Sequence, residues 1–210
     1  MHAKRVVPFV LVLTLSLVVY LTSFNLNAFN SRFYKREFEK YNIYGEIPNA
    51  DEVNSGILLY LRDKSDDFDK TPFNEREIDH LRDVKLVMQK VSITYYISII
   101  LLTLLLILLF FLDRGKFLGK LSFVLFFSGI FTLVLTMIIL VVMWLDFGSL
   151  FTNFHYIFFP QGNWLFSASD NIIKLYPSEL FFDIARNIFL TLLYFGNILI
   201  GVGVLLFKND

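Results

Sequence analysis

The sequence predicts an all-α membrane protein, four transmembrane helices with a small helical extracytoplasmic cap, and three observations carry that expectation. Hydrophobic residues make up 56% of the 210 residues and the mean hydropathy is +0.60, too apolar for an ordinary soluble domain. The apolar residues gather in four runs, 6–22, 91–112, 121–145 and 187–207, none of which contains Asp, Glu, Lys, Arg or His. A formal net charge of zero conceals one strongly charged segment, 23–90, between the first two runs. The whole chain, 1–210, reads as a single integral membrane domain.

The first run follows Lys4 and Arg5, as a signal peptide or a first membrane helix would. Ser23 to Asn30 offers no small-x-small cleavage site, which favours a retained anchor helix. Seventeen residues are short for a hydrocarbon core that takes about 20, so this helix is expected to extend into its flanks. Within 23–90, Phe24, Phe29, Phe33, Tyr34, Phe38 and Tyr41 supply apolar surface. Pro48 to Arg62 reads as a short amphipathic helix, with Val53, Ile57, Leu58 and Leu61 at helical spacing. A polar turn, Asp63 to Thr71, ends it. Asn74 precedes Glu77 by three residues, a capping-box start for a helix that continues through His80 into the second span. On that helix Leu81, Val84, Met88 and Val91 form one stripe, with His80 at its edge and Asp83 three positions on.

Short-loop charge orients the chain. Lys4 and Arg5, then Arg114, Lys116 and Lys120, then Lys208 fall together in an even-span topology and predict cytoplasmic termini. Segments 23–90 and 146–186 are then external, with Lys174 and Arg186 flanking the second. Spans without ionisable residues argue against an ion or proton pathway, and no basic patch points to nucleic acid. The absence of cysteine excludes disulfides, thiolate metal sites and a thioester acyl-enzyme.

The stretch richest in chemistry follows the third span. Phe151 to Trp164 sets one titratable side chain, His155, among aromatic rings of the kind that favour the membrane–water boundary. Pro160 and Gly162 are spaced as positions i+1 and i+3 of a type I turn, which returns Asn163 and Trp164 toward the histidine. An interfacial histidine ordinarily anchors a helix end, and His-x-x-Asp is a common surface spacing. The topology nevertheless puts His80 and His155 on one membrane face and His2 on the other. Asp83 is a candidate to orient His80, Asn163 to donate to an oxyanion or to complete the turn, and Arg82 to bind substrate. Gly196, Gly201 and Gly203 thin the fourth span for close packing or a lipid groove. Pro177 suits the first turn of the fourth long helix.

Phe154-His155-Tyr156-Ile157-Phe158-Phe159-Pro160-Gln161-Gly162-Asn163-Trp164, with Leu175-Tyr176-Pro177 and, upstream, His80-Leu81-Arg82-Asp83-Val84, resembles the lipoprotein intramolecular transacylases, the Lit family of Gram-positive bacteria. The resemblance spans nearly the whole chain. It implies a four-helix membrane enzyme that moves an acyl chain from the glyceryl group of a diacylglyceryl lipoprotein to its N-terminal cysteine. It also implies a lipoprotein substrate within bilayer phospholipid and no acyl-donor cofactor. Tyr176 joins the pocket candidates on this resemblance, beside Trp164. His80, backed by Asp83, is then expected to act as general base and His155 as oxyanion stabiliser or general acid. Two rival readings stand beside it: a metal-dependent membrane hydrolase using His80, Asp83 and His155 as ligands, and a membrane sensor or assembly subunit without activity.

Overall fold

A computed structural model describes residues 3–207, so that His2 and Lys208 lie outside the described residues. Among those described every regular element is helical: α1 (Ala3–Ala28), α2 (Ser31–Lys40), α3 (Ile43–Glu46), α4 (Ala50–Leu61), α5 (Glu75–Leu112), α6 (Phe117–Leu145), α7 (Phe147–Phe158), α8 (Asn171–Leu175) and α9 (Ser178–Phe207), with a short 3₁₀ turn at Arg114–Lys116. α1, α5, α6 and α9 are long and apolar enough to cross a membrane. Each outruns its apolar run, and α1 extends at both ends as its length requires. The described residues form two compact units, one of those up to Asn25, Ile93–Val141 and those from Asn187 on, the other of Leu26–Ser92 and Val142–Arg186.

The first unit is held by small and hydroxylated residues, as expected where lipid supplies no hydrophobic drive between helices. Ser16 Oγ donates to Ser128 O at 3.2 Å and Ser128 Oγ returns a bond to Val12 O at 3.2 Å. Tyr20 and Thr136 share a hydroxyl pair at 2.8 Å, and Ser122 Oγ donates to Gly203 O at 2.7 Å. α6 and α9 touch backbone to backbone: a Cβ added at Gly129 would lie 2.6 Å from Gly196 O, and one at Gly203 would lie 2.8 Å from Phe126 N. The glycines of the fourth span therefore serve packing at Gly196 and Gly203, whereas a Cβ at Gly201 meets nothing within 4 Å. Large side chains such as Ile93, Ile97, Ile100 and Leu104 of α5 are exposed, the surface a lipid solvent leaves unburied. Asp113 pairs with Lys120 at 2.9 Å and Lys4 at 4.0 Å.

The second unit has a soluble-type core. Phe33, Phe38, Val53, Ile57, Leu175 and Leu180 are buried together, and Tyr34, Phe73 and Leu81 belong to the same cluster. The aromatics of 23–41 supply this core through α2, whose N-cap Asn30 accepts from the amides of Arg32 and Phe33. The amphipathic segment forms α4, with Val53, Ile57 and Leu58 inward. The capping box is made: Asn74 Oδ1 accepts from Glu77 N at 3.0 Å and Glu77 Oε2 from Asn74 N at 2.6 Å. The other oxygen of Glu77, Oε1, accepts from Ile172 N at 2.7 Å, so one buried carboxylate ties the start of α5 to the chain ahead of α9. At the start of α9, Asp183 accepts from Lys40 and, at 2.6 Å, from Tyr41 Oη. Burial pushes the Asp183 carboxyl up, but those bonds outweigh it and hold the group below the usual carboxylate range.

Candidate active site

His80 sits on the second turn of α5, and the capping box beneath it sets where that helix begins. His155 sits near the end of α7. That helix is capped by Asp146, whose Oδ1 accepts from Ser149 N at 2.9 Å, and stops at Phe158, two residues before Pro160. Its cap, Phe159, donates its amide to His155 O at 2.7 Å. The expected turn follows: Gly162 N donates to Phe159 O at 3.1 Å, with Gly162 in the positive-φ region at +77°, where glycine carries no Cβ penalty.

The turn and the two helices bring the histidines together. Their ring centroids lie 6.1 Å apart with planes 26° from parallel. Phe159 packs edge-on to His80 at 4.8 Å and Phe166 does so at 5.5 Å. Around His155 stand Phe151 at 4.2 Å and Trp164 at 4.8 Å. Only 7% of His80 and 9% of His155 is exposed. Phe151 also lines a cavity of roughly 380 Å³ shared with Tyr41, Phe147, Ser178, Glu179 and Phe182.

Burial dominates the electrostatics. It pushes His80 down to about 4, helped by the His155 ring and opposed by the Asn163 amide and the charge of Asp83. His155 is also lowered by burial, against the bond its Nδ1 makes with the Phe151 carbonyl. That bond, 2.8 Å, decides a tautomer: a carbonyl only accepts, so Nδ1 of His155 carries the proton and Nε2 keeps its lone pair. Both rings are neutral at neutral pH, and a charge on one opposes a charge on the other.

The remaining candidates separate. Asp83 does not hydrogen-bond His80, contrary to the expectation from their spacing. Its Oδ2 accepts from Gln161 Nε2 and Asn163 Nδ2, each at 2.6 Å, and clamps the turn instead. One of the two amide hydrogens of Asn163 is thereby taken. Its Oδ1 is left buried without a partner, as are Nδ1 of His80 and Nε1 of Trp164. Arg82 lies on the exposed side of α5, paired with Asp79. Tyr176 is part of the core: its hydroxyl donates to Asn54 at 2.8 Å and its ring packs on Tyr34 and Phe181. Among the described residues no three His, Cys, Asp or Glu side chains form a metal-ligand group, Asp83 having turned to the two amides.

The sequence reading missed α7 and Gln161, and it did not assign the aromatic residues Phe159 and Phe166 to His80. The Asp146-x-x-Ser149 cap and the helical spacing of Phe147, Phe151, Phe154 and Phe158 were available signals for α7. Nothing local marks Gln161.

An all-helical multi-pass membrane protein that buries two facing imidazoles behind aromatic walls is equipped to move protons away from bulk water. The family model described as lipoprotein intramolecular transacylase Lit matches residues 9–182, and the chain belongs to that family. The crystal structure of the membrane-integral lipoprotein intramolecular transacylase Lit from Bacillus cereus has the same fold, with a TM-score of 0.83 at 20% identity over 99% of this chain and 97% of that one. A variant of the Bacillus cereus protein with one histidine replaced by arginine superposes with a TM-score of 0.80 at 19% identity, over 99% of this chain and 93% of that one. An uncharacterized protein of Aquifex aeolicus (strain VF5) is 26% identical over 136 residues, 65% of this chain and 58% of that protein's length.

Proposed function

We propose that this membrane protein moves an O-acyl chain from the diacylglyceryl group of a bacterial lipoprotein to the α-amine of its N-terminal cysteine. The stacked His80–His155 pair carries the reading, and family membership supports it. The substrate supplies both reactants. The amine nitrogen attacks the ester carbonyl carbon, a C–N bond forms, the C–O bond to glycerol breaks, and the proton lost by nitrogen ends on the glyceryl oxygen. Amine N, Cα, Cβ, S, two glyceryl carbons, ester O and carbonyl C close an eight-membered ring, and holding it closed is work for a shaped pocket. Near neutral pH the amine, with a reference pKa of about 8, must first shed its ammonium proton to solvent.

The pair suits the second proton. Nε2 of His155, its tautomer fixed by the Phe151 carbonyl, takes the proton from the attacking nitrogen. The protonated pair then gives it to the departing alkoxide. A proton passed from His155 to His80 within the pair leaves most readily from there, since His80 is held at about 4, so we reverse the roles expected from spacing and make His155 the base and His80 the acid. The topology that fits the short-loop charges puts both termini in the cytoplasm and the pair at the outer leaflet.

The test supplies purified protein, in chelator, with only a diacylglyceryl lipopeptide whose N-terminus is free. The expected product has unchanged mass and an acylated amine, read by fragmentation in the mass spectrometer. Free fatty acid with a matching loss of mass, restored after chelation by zinc, would replace the transacylase reading with a hydrolase.

A further inference from the structure

Asn163 is hydrogen-bonded to Asp83, and the loop that carries it packs against His80 through Phe159 and Phe166. On one side its Nδ2 donates to Asp83 at 2.6 Å. A carboxylate only accepts, so this bond fixes which end of the amide faces inward, and that end is Oδ1. On the other side lies His80, whose Nδ1 is buried and unpartnered, as Oδ1 of Asn163 is. An imidazole N–H and an amide oxygen are complementary. A buried polar atom without a partner costs enough that its persistence calls for a reason, and here one such atom belongs to His80 and another to Asn163, a side chain that favours the charged form of that imidazole. Gln161 completes the frame by holding the same Asp83 oxygen at 2.6 Å, so the carboxylate grips both ends of the Gln161–Asn163 turn segment.

We propose that Asn163 is a positioning residue that carries the influence of Asp83 to His80, its Oδ1 accepting from Nδ1–H of His80 and so presenting Nε2 to the reaction. The relay rests on the transacylase reading above for its purpose, though not for its geometry. It explains why an Asp three residues from a histidine on one helix acts on it through a residue 80 positions away. It also gives both histidines the same tautomer by different means, a main-chain carbonyl for His155 and a side-chain amide for His80. The groups facing His80 are few: Asp83 on its own helix, His155 from α7, the neutral Asn163, and the rings of Phe159 and Phe166, with the Arg76 guanidinium 4.9 Å from the centre of the Phe166 ring. Desolvation lowers His80, and the amide and Asp83 act in the opposite sense, which agrees with the relay.

The full-length protein, labelled with ¹⁵N-histidine in detergent micelles, is titrated and its imidazole tautomers are read by long-range ¹H–¹⁵N spectra. Wild-type His80 is expected in the Nδ1–H form. Asn163→Leu should move it to the Nε2–H form that dominates in free imidazole and lower kcat by about 10- to 100-fold with KM little changed, the loss typical of a supporting hydrogen bond. Asp83→Asn can still accept from Asn163 through its own carbonyl, so it should keep the tautomer while lowering the pKa of His80, since a negative charge has gone. Gln161→Leu should leave the His80 spectrum as it is. An Nε2–H form in the wild type, or an unmoved tautomer in Asn163→Leu, overturns the relay. If the spectra behave as expected and the wild type makes no acylated amine from the lipopeptide, the transacylase reading falls and the relay stands.

Discussion

The imidazoles of His80 and His155 stack 6.1 Å apart with their planes only 26° from parallel, one on α5 and the other 75 residues later on α7. Rings this close behave as one titrating unit, because a proton on either disfavours a proton on the other. Replacing one should therefore remove most of what the pair does. His80→Ala and His155→Ala are each expected to lower transfer by roughly 100-fold or more, and the double variant to be little worse than either. The measurement is turnover of a diacylglyceryl lipopeptide by variants purified at matched yield and melting temperature. Losses that simply multiply would show two independent residues.

The pH dependence follows from the directions of the shifts. Both histidines titrate below their ordinary value of 6.5, His80 near 4, so the base stays unprotonated through mild acid. The acid limb of kcat should lie below pH 6.5, while kcat/KM climbs on the alkaline side as the substrate amine loses its proton near its reference pKa of about 8. Stability has its own sign. The folded pKa of His80 lies below the unfolded one, so the unfolded chain binds the additional proton between about 6.5 and 4. Its contribution is complete above pH 6.5 and is lost as pH falls toward 4. Melting curves should descend over that window, and less steeply in His80→Phe. An acid limb above pH 6.5 would mean that burial does not govern these rings.

Glu77 is expected to matter more than a helix cap alone. Its two oxygens take the amides of Asn74 and Ile172 at 2.6 and 2.7 Å, and the residue is 1% exposed. Removing it strands two donors, at about 1–3 kcal/mol for each that stays buried. Asn74→Ala removes the acceptor for Glu77 N, about 1 kcal/mol, together with an exposed bond from Asn74 Nδ2 to Asp170 Oδ1. Thermal unfolding should thus rank Glu77→Ala well below Asn74→Ala. Equal melting temperatures would show that the link to Ile172 contributes nothing.

Topology can be checked with single cysteines in this cysteine-free chain. Lys64 and Lys116 are both exposed. With cytoplasmic termini, Lys64→Cys should react with an impermeant thiol reagent added to intact cells and Lys116→Cys only after lysis. The opposite pattern would invert the orientation.

Much of this architecture was legible because membranes impose long, uncharged runs, and the chain has four. The capping box and the Phe159–Gly162 turn were legible too, since both rest on bonds between residues three apart. α7 had its own signals, the Asp146 cap and the spacing of Phe147, Phe151, Phe154 and Phe158, but an aromatic run beside a membrane span reads first as interfacial chain. The meeting of His80 with His155 followed from topology. The partner of Asp83 could not: whether its carboxylate turns to a histidine three residues away or to amides at 161 and 163 depends on how a distant turn packs, and only the fold supplies that. Tyr176 shows the same limit, a tyrosine beside the family motif whose hydroxyl the fold assigns to Asn54.

The backbone contact between α6 and α9 has a bearing on the path of the substrate. Where a single methyl at Gly129 would already press within 2.6 Å of Gly196 O and 2.7 Å of Ile200, no acyl chain can part the two helices without breaking their contact. That seam is shut to lateral traffic from the bilayer. On the proposed transacylase reading, a lipid-tailed peptide sliding in from the membrane plane enters by a different gap.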